Sequence, residues 1–306
     1  MQNKSLDIIG KKNLYFALSL IVVIPGLIAL LLFGLNLSID FTGGSRLTVN
    51  FVQNIEKQKV DKIKQALISQ NIKVYIVEQS RNQVFLRTSL INQKQNIKFI
   101  DALTKNFKDA KETEFETIGP TIGRETTINA IKAVLLASVL IILYITWSFR
   151  KVPKPASSLR FGVSAIIALI HDVLVVLGIF AILGHFFGVE VDSLFVTALL
   201  TVIGFSVHDT IVVFDRIREN LRRSSGSFPQ IVNDSILQTL DRSLNTSLTV
   251  LLVLFALLLF GGETIRWFVV ALLIGVTSGT YSSIFNASPI LVVWQEWSEK
   301  RKKITK

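Results

Sequence analysis

The stretch LYFALSLIVVIPGLIALLLFGLNL, residues 14–37, holds 24 residues without one charged side chain. As a helix rising 1.5 Å per residue it would be about 36 Å long, enough to cross a hydrocarbon core of about 30 Å. Lys4, Lys11 and Lys12 precede it, as they would in a secretory leader. The run is longer than a leader's apolar region, and no convincing small-residue cleavage site follows it. It therefore reads as a retained first membrane helix, with Pro25-Gly26 expected to kink it. Working outward, apolar runs of spanning length are expected at 14–36, 127–149, 161–183, 193–215, 243–261 and 265–294. Composition agrees: of 306 residues 50% are hydrophobic and only 18% charged, and the mean hydropathy is +0.51. The expected fold class is an α-helical integral membrane protein with six transmembrane helices.

Charge patterning orients it. Lys11 and Lys12, then Arg150, Lys151, Lys154 and Arg160, then Arg216, Arg218, Arg222 and Arg223, then Lys300 to Lys303 all fall on one side. The opposite short loop, Gly188 to Asp192, has no Lys or Arg. The positive-inside rule makes both termini cytoplasmic, and Trp147, Trp294 and Trp297 fit interfacial positions there. The net charge of +11 is explained by the same rule. Without a basic stripe interleaved with aromatics, nucleic acid is not an expected partner. The absence of cysteine excludes disulfides, thiolate metal sites and cysteine nucleophiles.

The hydrophilic stretch 38–126 is then extracytoplasmic. Arg46 to Val52 alternates like a strand, Ile55 to Ile68 has helical spacing, and Ile72 to Val77 and Val84 to Arg87 are strand-like around a turn at Ser80, Arg81 and Asn82. Ile97 to Phe107 is helical and Glu114 to Ile118 closes the set as a strand. The order β-α-β-β-α-β is that of a small α+β ferredoxin-like domain. The chain thus divides into 1–37, a cytoplasmic N-terminus and first helix; 38–126, the outer domain; 127–294, a five-helix bundle; and 295–306, a basic tail.

Ionisable groups within a span cost about 3 kcal/mol each and mark function by default. Asp172 lies mid-span, within His171-Asp-Val-Leu-Val-Val176, and Asp209 within the like-patterned His208-Asp-Thr-Ile-Val-Val213. Gln238, Arg242, Asn245, Thr246 and Thr249 form a polar stripe entering the fifth span, for which Asp209 is the available acid. Burial and a neighbouring arginine act oppositely on a carboxylate's proton affinity, so such a pair suits a proton relay. Arg242 snorkelling to the interface and Asp172 bridging helices as a structural acceptor are the bland alternatives. His171 and His208 lack a third ligand at suitable spacing and are not expected to hold metal. Ala271, Gly275, Gly279 and Ser283 read as a small-residue packing ridge. No phosphate-binding loop, nucleophile elbow or His-Glu-x-x-His motif is present. The chain is not expected to be an enzyme or to carry a cofactor, and its energy would come from the membrane potential or a partner.

Leu37-Ser-Ile-Asp-Phe-Thr-Gly-Gly44, Ile118-Gly-Pro-Thr-Ile-Gly123, Gly204 to Asn220, Thr239 to Ser247, Phe260 to Glu263 and Gly279 to Ser283 together resemble the SecF family of protein-export subunits, in order along the chain. The resemblance implies a SecD partner, the SecYEG channel, a translocating preprotein and, as a further candidate, YajC. It implies work driven by the proton-motive force in the bacterial plasma membrane or, alternatively, the thylakoid. It makes Asp209 the intramembrane carboxylate and Arg242 the intramembrane arginine of proton passage. From its place within a span Asp172 is the third expected member of the proton relay, with His208, Ser206, Asn245 and Thr246 as supporting polar residues. Asp40, Gly43 and Gly44 belong to the family's motif at the outer domain. His208 departs from the asparagine usual before that aspartate. An autonomous proton-driven exporter of small molecules or lipids, or a scaffold using no protons, are the competing readings.

Overall fold

A computed structural model describes residues 6–52, 57–70, 72–80, 82–150, 152–153 and 157–304. Lys4, Ile55, Arg81, Lys151 and Lys154, which entered the expectations above, lie outside the described residues. After a short 3-10 turn (Ile9–Lys11), the elements run α1 (Lys12–Phe33), α2 (Ile39–Thr42), β1 (Gly44–Asn50), α3 (Lys57–Ile68), β2 (Val74–Ser80), β3 (Gln83–Thr88), α4 (Gln93–Asn106) and β4 (Lys111–Ile118). There follow α5 (Pro120–Ser148), α6 (Ser158–Phe187), α7 (Ser193–Arg223), α8 (Phe228–Phe260), α9 (Glu263–Ser282), a π-turn (Ser283–Ala287) and α10 (Ser288–Ile304). By internal contacts the chain forms two units, Leu37–Lys132 and the remainder, Met1–Asn36 with Ala133–Lys306.

In the smaller unit the four strands form one antiparallel sheet in the order β2-β3-β1-β4. Strand alternation buries Leu47 and Val49 of β1 and Val84 and Leu86 of β3 on one face. There they meet Ile63 and Leu67 of α3 and Phe99 and Leu103 of α4. Each such side chain contributes roughly 1.5–3 kcal/mol by leaving water. The start of α4 is fixed by a reciprocal cap, in which Asn92 Oδ1 accepts from the Gln95 amide and Gln95 Oε1 from the Asn92 amide. Entry to β1 needs glycine twice. Gly43 (φ +72°) would place a Cβ 2.9 Å from Pro120 Cα, and Gly44 (φ +124°) one 2.7 Å from the Thr88 carbonyl oxygen.

Among the described residues six helices are long and apolar enough to span a membrane: Ile9–Phe33, Pro120–Ser148, Ser158–Phe187, Ser193–Arg223, Phe228–Phe260 and Glu263–Arg301. Large apolar side chains such as Leu31, Leu136 and Leu252 point outward on α1, α5 and α8, the reverse of a soluble bundle. The fifth span begins at Phe228, well before the 243 expected from its apolar run. An apolar run marks only the part of a helix meant for hydrocarbon; α8 continues beyond it, with its polar side chains packed on α7. The backbones of α1 and α6 touch: Gly26 and Gly178 face one another so closely that a Cβ on Gly178 would lie 2.5 Å from Gly26 Cα. Gly275 and Gly279 of the small-residue ridge lie against Val202 and Ser206 of α7.

Candidate functional site

The centre of the bundle is polar on both sides of α9. On one side Asp172 of α6 is fully buried. Its Oδ2 accepts from the hydroxyls of Ser206 on α7 (2.6 Å) and Ser282 on α9 (2.6 Å). Its Oδ1 accepts from the hydroxyl of Ser278 on α9 (2.7 Å) and lies 3.0 Å from His171 Nδ1. Ser278 and Ser282 are one helical turn apart, so both hydroxyls reach the same carboxylate. Every contact is to a donor or a potential donor, so the site suits a carboxylate that acts as an acceptor only. The π-turn begins one residue beyond Ser282, where Ser283 Oγ donates to the Ser206 carbonyl (3.1 Å) and meets Thr210 Oγ1 (2.8 Å).

On the other side Asp209 of α7 is 2% exposed. Its partners are longer and fewer: the hydroxyls of Ser247 on α8 (3.5 Å) and Thr280 on α9 (3.4 Å), with His208 Nδ1 at 3.5 Å. Ser247 and Thr280 bond each other at 2.6 Å, so each is only partly committed to the carboxylate. Hydrogen bonds weaken steeply at such lengths. Among the described residues Asp209 thus has no short hydrogen bond, whereas Asp172 is held by three. A groove of about 410 Å³ between α8 and α9, walled by Ser247, Thr280, Leu248, Tyr281 and Phe285, adjoins Asp209.

The structure does not bring the expected residues into one cluster. Ser206 joins Asp172, not Asp209. His208 points outward, its side chain 61% exposed, while touching Asp209 through Nδ1. Arg242 and Asn245 are exposed on α8, and no ion pair joins Arg242 to Asp209 among the described residues. The reason is helical phase: Arg242 and Ser247 differ by five positions, roughly 140° around the axis, so turning Ser247 toward Asp209 turns Arg242 away. Thr246 is occupied with the Arg242 carbonyl (2.9 Å). Asp40 lies in the short helix α2, whose first turn is capped by Ser38 Oγ accepting from the Asp40 amide (3.2 Å). Among the described residues no group of three His, Cys, Asp or Glu could hold a metal ion.

Three functional features escaped the sequence. Ser278 and Ser282 clamp Asp172; Ser247 and Thr280 line Asp209; and Ser235, Thr239, Ser243 and Ser247 form a buried hydroxyl face on α8. The four-residue spacing of serines and threonines was a signal for the first and last, hidden because the more polar stripe through Arg242 drew the attention of any polarity measure.

A bundle of six apolar helices with two buried carboxylates, attached to a small antiparallel sheet, defines a multi-pass membrane protein. The family described as "Protein export membrane protein SecD/SecF, C-terminal" matches residues 98–297, and the "SecD/SecF GG Motif" matches 28–55, which contains Gly43 and Gly44. The protein translocase subunit SecF of Thermobaculum terrenum is 51% identical, covering 95% of this chain and 94% of its own. That of Anaerolinea thermophila is 46% identical, covering 95% and 96%. A crystal structure of SecDF, a translocon-associated membrane protein from Thermus thermophilus, superposes with a TM-score of 0.84 at 32% identity, over 96% of this chain and 39% of that longer one. This chain belongs to the SecD/SecF family of protein-export membrane proteins.

Proposed function

We propose that the chain is a non-enzymatic, proton-coupled subunit of the Sec protein translocase, acting with a SecD partner and the SecYEG channel on exported polypeptides. The observation that carries the proton part is the contrast between the two buried carboxylates. Asp172 is held by three short hydroxyl bonds, while among the described residues the contacts of Asp209 are 3.4–3.5 Å long. A carboxylate at membrane depth without short donors is suited to cycling between charged and neutral forms. In this reading Asp209 is the proton carrier, Asp172 holds α6, α7 and α9 in register, and Arg242 acts from the far face of α8.

The partner is supported by two facts. Relatives of this chain include the SecDF of Bacillus subtilis, of which the match covers only 38%, leaving length for a SecD-type half. Arg242 and Asn245 are exposed on a spanning helix, where lipid is a poor neighbour for an arginine and a second protein a good one. In this reading the basic ends of the spans face the cytoplasm with both termini, the β-α-β-β-α-β unit, read as ferredoxin-like, lies on the other side, and the membrane is a bacterial plasma membrane or, alternatively, a thylakoid. Protonation at Asp209 would shift α7 against α8 and α9, and this movement would be passed to the outer domain.

The test is potential-dependent export into membrane vesicles carrying the chain and its partner, comparing wild type with Asp209→Asn. Loss of the potential-driven increment with the complex intact is expected. Unchanged export means that Asp209 is structural and the chain a scaffold.

A further inference from the structure

Four buried hydroxyls recur along α8, and those at the two ends of the row contact α7. Ser235, Thr239, Ser243 and Ser247 recur every fourth residue and are 0%, 8%, 2% and 3% exposed. At 1.5 Å per residue the row covers about 18 Å of the helix. Its inner end is Ser247, against Asp209. Its other end is Ser235, itself buried but in contact with the half-buried Asn220. There Ser235 Oγ accepts from Asn220 Nδ2 (2.8 Å), which also reaches Gln238 Oε1 (2.9 Å), an atom shared with Arg216 Nε (2.6 Å).

Three of the four hydroxyls also donate within their own helix: Ser235 to the Ile231 carbonyl, Thr239 to Ser235 and Ser247 to Ser243. Ser243 does not. Its Oγ is buried and has no hydrogen-bond partner among the described residues. A hydroxyl left so costs roughly 1–3 kcal/mol unless water satisfies it. Side chains four apart on a helix stand about 5–6 Å from one another. That is too far for a direct bond between hydroxyls and the right distance for one bridging water.

We propose that this face of α8 binds a file of water molecules, one in each gap between neighbouring hydroxyls from Ser235 to Ser247, and that the file carries protons between Asp209 and the Arg216–Asn220–Gln238 end of the bundle. Each hydroxyl accepts a proton from one neighbour as it gives its own to the next, so no group in the file changes charge overall. The inference rests on the reading of Asp209 as the proton carrier.

The experiment measures proton uptake, by a trapped pH-sensitive dye, into vesicles holding the chain with its partner subunit, and compares Ser243→Ala, Ser243→Thr and Asp209→Asn. Because Ser243 Oγ bonds to no protein atom, Ser243→Ala should melt like wild type. Removing one hydrogen-bonding member of the file should slow uptake about tenfold, and Ser243→Thr, which keeps the hydroxyl, should restore most of it. If Asp209→Asn blocks uptake while Ser243→Ala leaves it unchanged, the file is refuted and the reading of Asp209 survives. If Asp209→Asn leaves uptake unchanged, both fall. Should Ser243→Ala not assemble, Thr239→Val, which keeps shape and loses the hydroxyl, reads the same step with the same two outcomes.

Discussion

Replacing Asp172 by asparagine changes almost no volume and removes one of two acceptor oxygens. The hydroxyls of Ser206 and Ser282 donate to Oδ2 and that of Ser278 to Oδ1, which also meets His171 Nδ1. With the amide nitrogen in the place of Oδ2 two hydroxyl donors face an NH2 group that also donates, and in the place of Oδ1 at least one does. A hydrogen bond to a charged group is worth about 1.5–3 kcal/mol, so one or two losses come to about 1.5–6 kcal/mol. Part is offset, because a buried amide is cheaper than a buried carboxylate and the serines can rotate toward backbone carbonyls, leaving roughly 1–4 kcal/mol. For a unit of this size the melting temperature should fall on the order of 10 °C. The assay is tryptophan-monitored thermal unfolding of the detergent-solubilised chain, with Asp209→Asn as the reference. Among the described residues Asp209 has contacts of 3.4–3.5 Å to lose, so its variant should stay within about 1 kcal/mol of wild type. Equal melting of the two variants, or an Asp172→Asn curve overlying wild type, would refute the division into a clamped and a loosely held carboxylate.

Gly178→Ala forces the α1 and α6 backbones apart, since its Cβ would lie 2.5 Å from Gly26 Cα; overpacking should cost about 1–3 kcal/mol, read by the same melt. Gly204→Ala, whose Cβ meets nothing within 4 Å, should leave the melt unchanged. In the smaller unit Gly44→Ala combines a left-handed φ of +124° with a clash on the Thr88 carbonyl, and limited proteolysis within residues 37–132 should become several-fold faster. Asn233 Oδ1 accepts from the amides of Ile8 and Ile9 at 2.9 and 3.2 Å, and its Nδ2 donates to the Leu6 carbonyl. Asn233→Ala should free that segment, with amide exchange at Ile8 and Ile9 about tenfold faster by mass spectrometry.

The membrane class was legible from residues 14–37 alone, because an uncharged run of that length leaves few other solutions. The β-α-β-β-α-β order was legible too, since strands and helices write different periods into the chain; the observed β2 and α4 differ from the expected ones only at their ends. Asp172 and Asp209 were visible for a similar reason, each being a charge placed where charge is expensive. Their surroundings were not. Serine and threonine cost little in a spanning helix and carry almost no signal singly. Whether Ser278, Ser282 or Ser247 is a lipid-facing residue or a carboxylate's partner depends on helix rotation. That rotation is set by contacts far apart in the chain, such as Gly279 on Ser206 and Gly26 on Gly178. Sequence determined which segments enter the membrane and which carboxylates go with them. Only the tertiary packing decided that Asp172 is clamped by α7 and α9, and that Asp209 faces Ser247 and not Arg242, because side chains five positions apart on α8 cannot face the same neighbour.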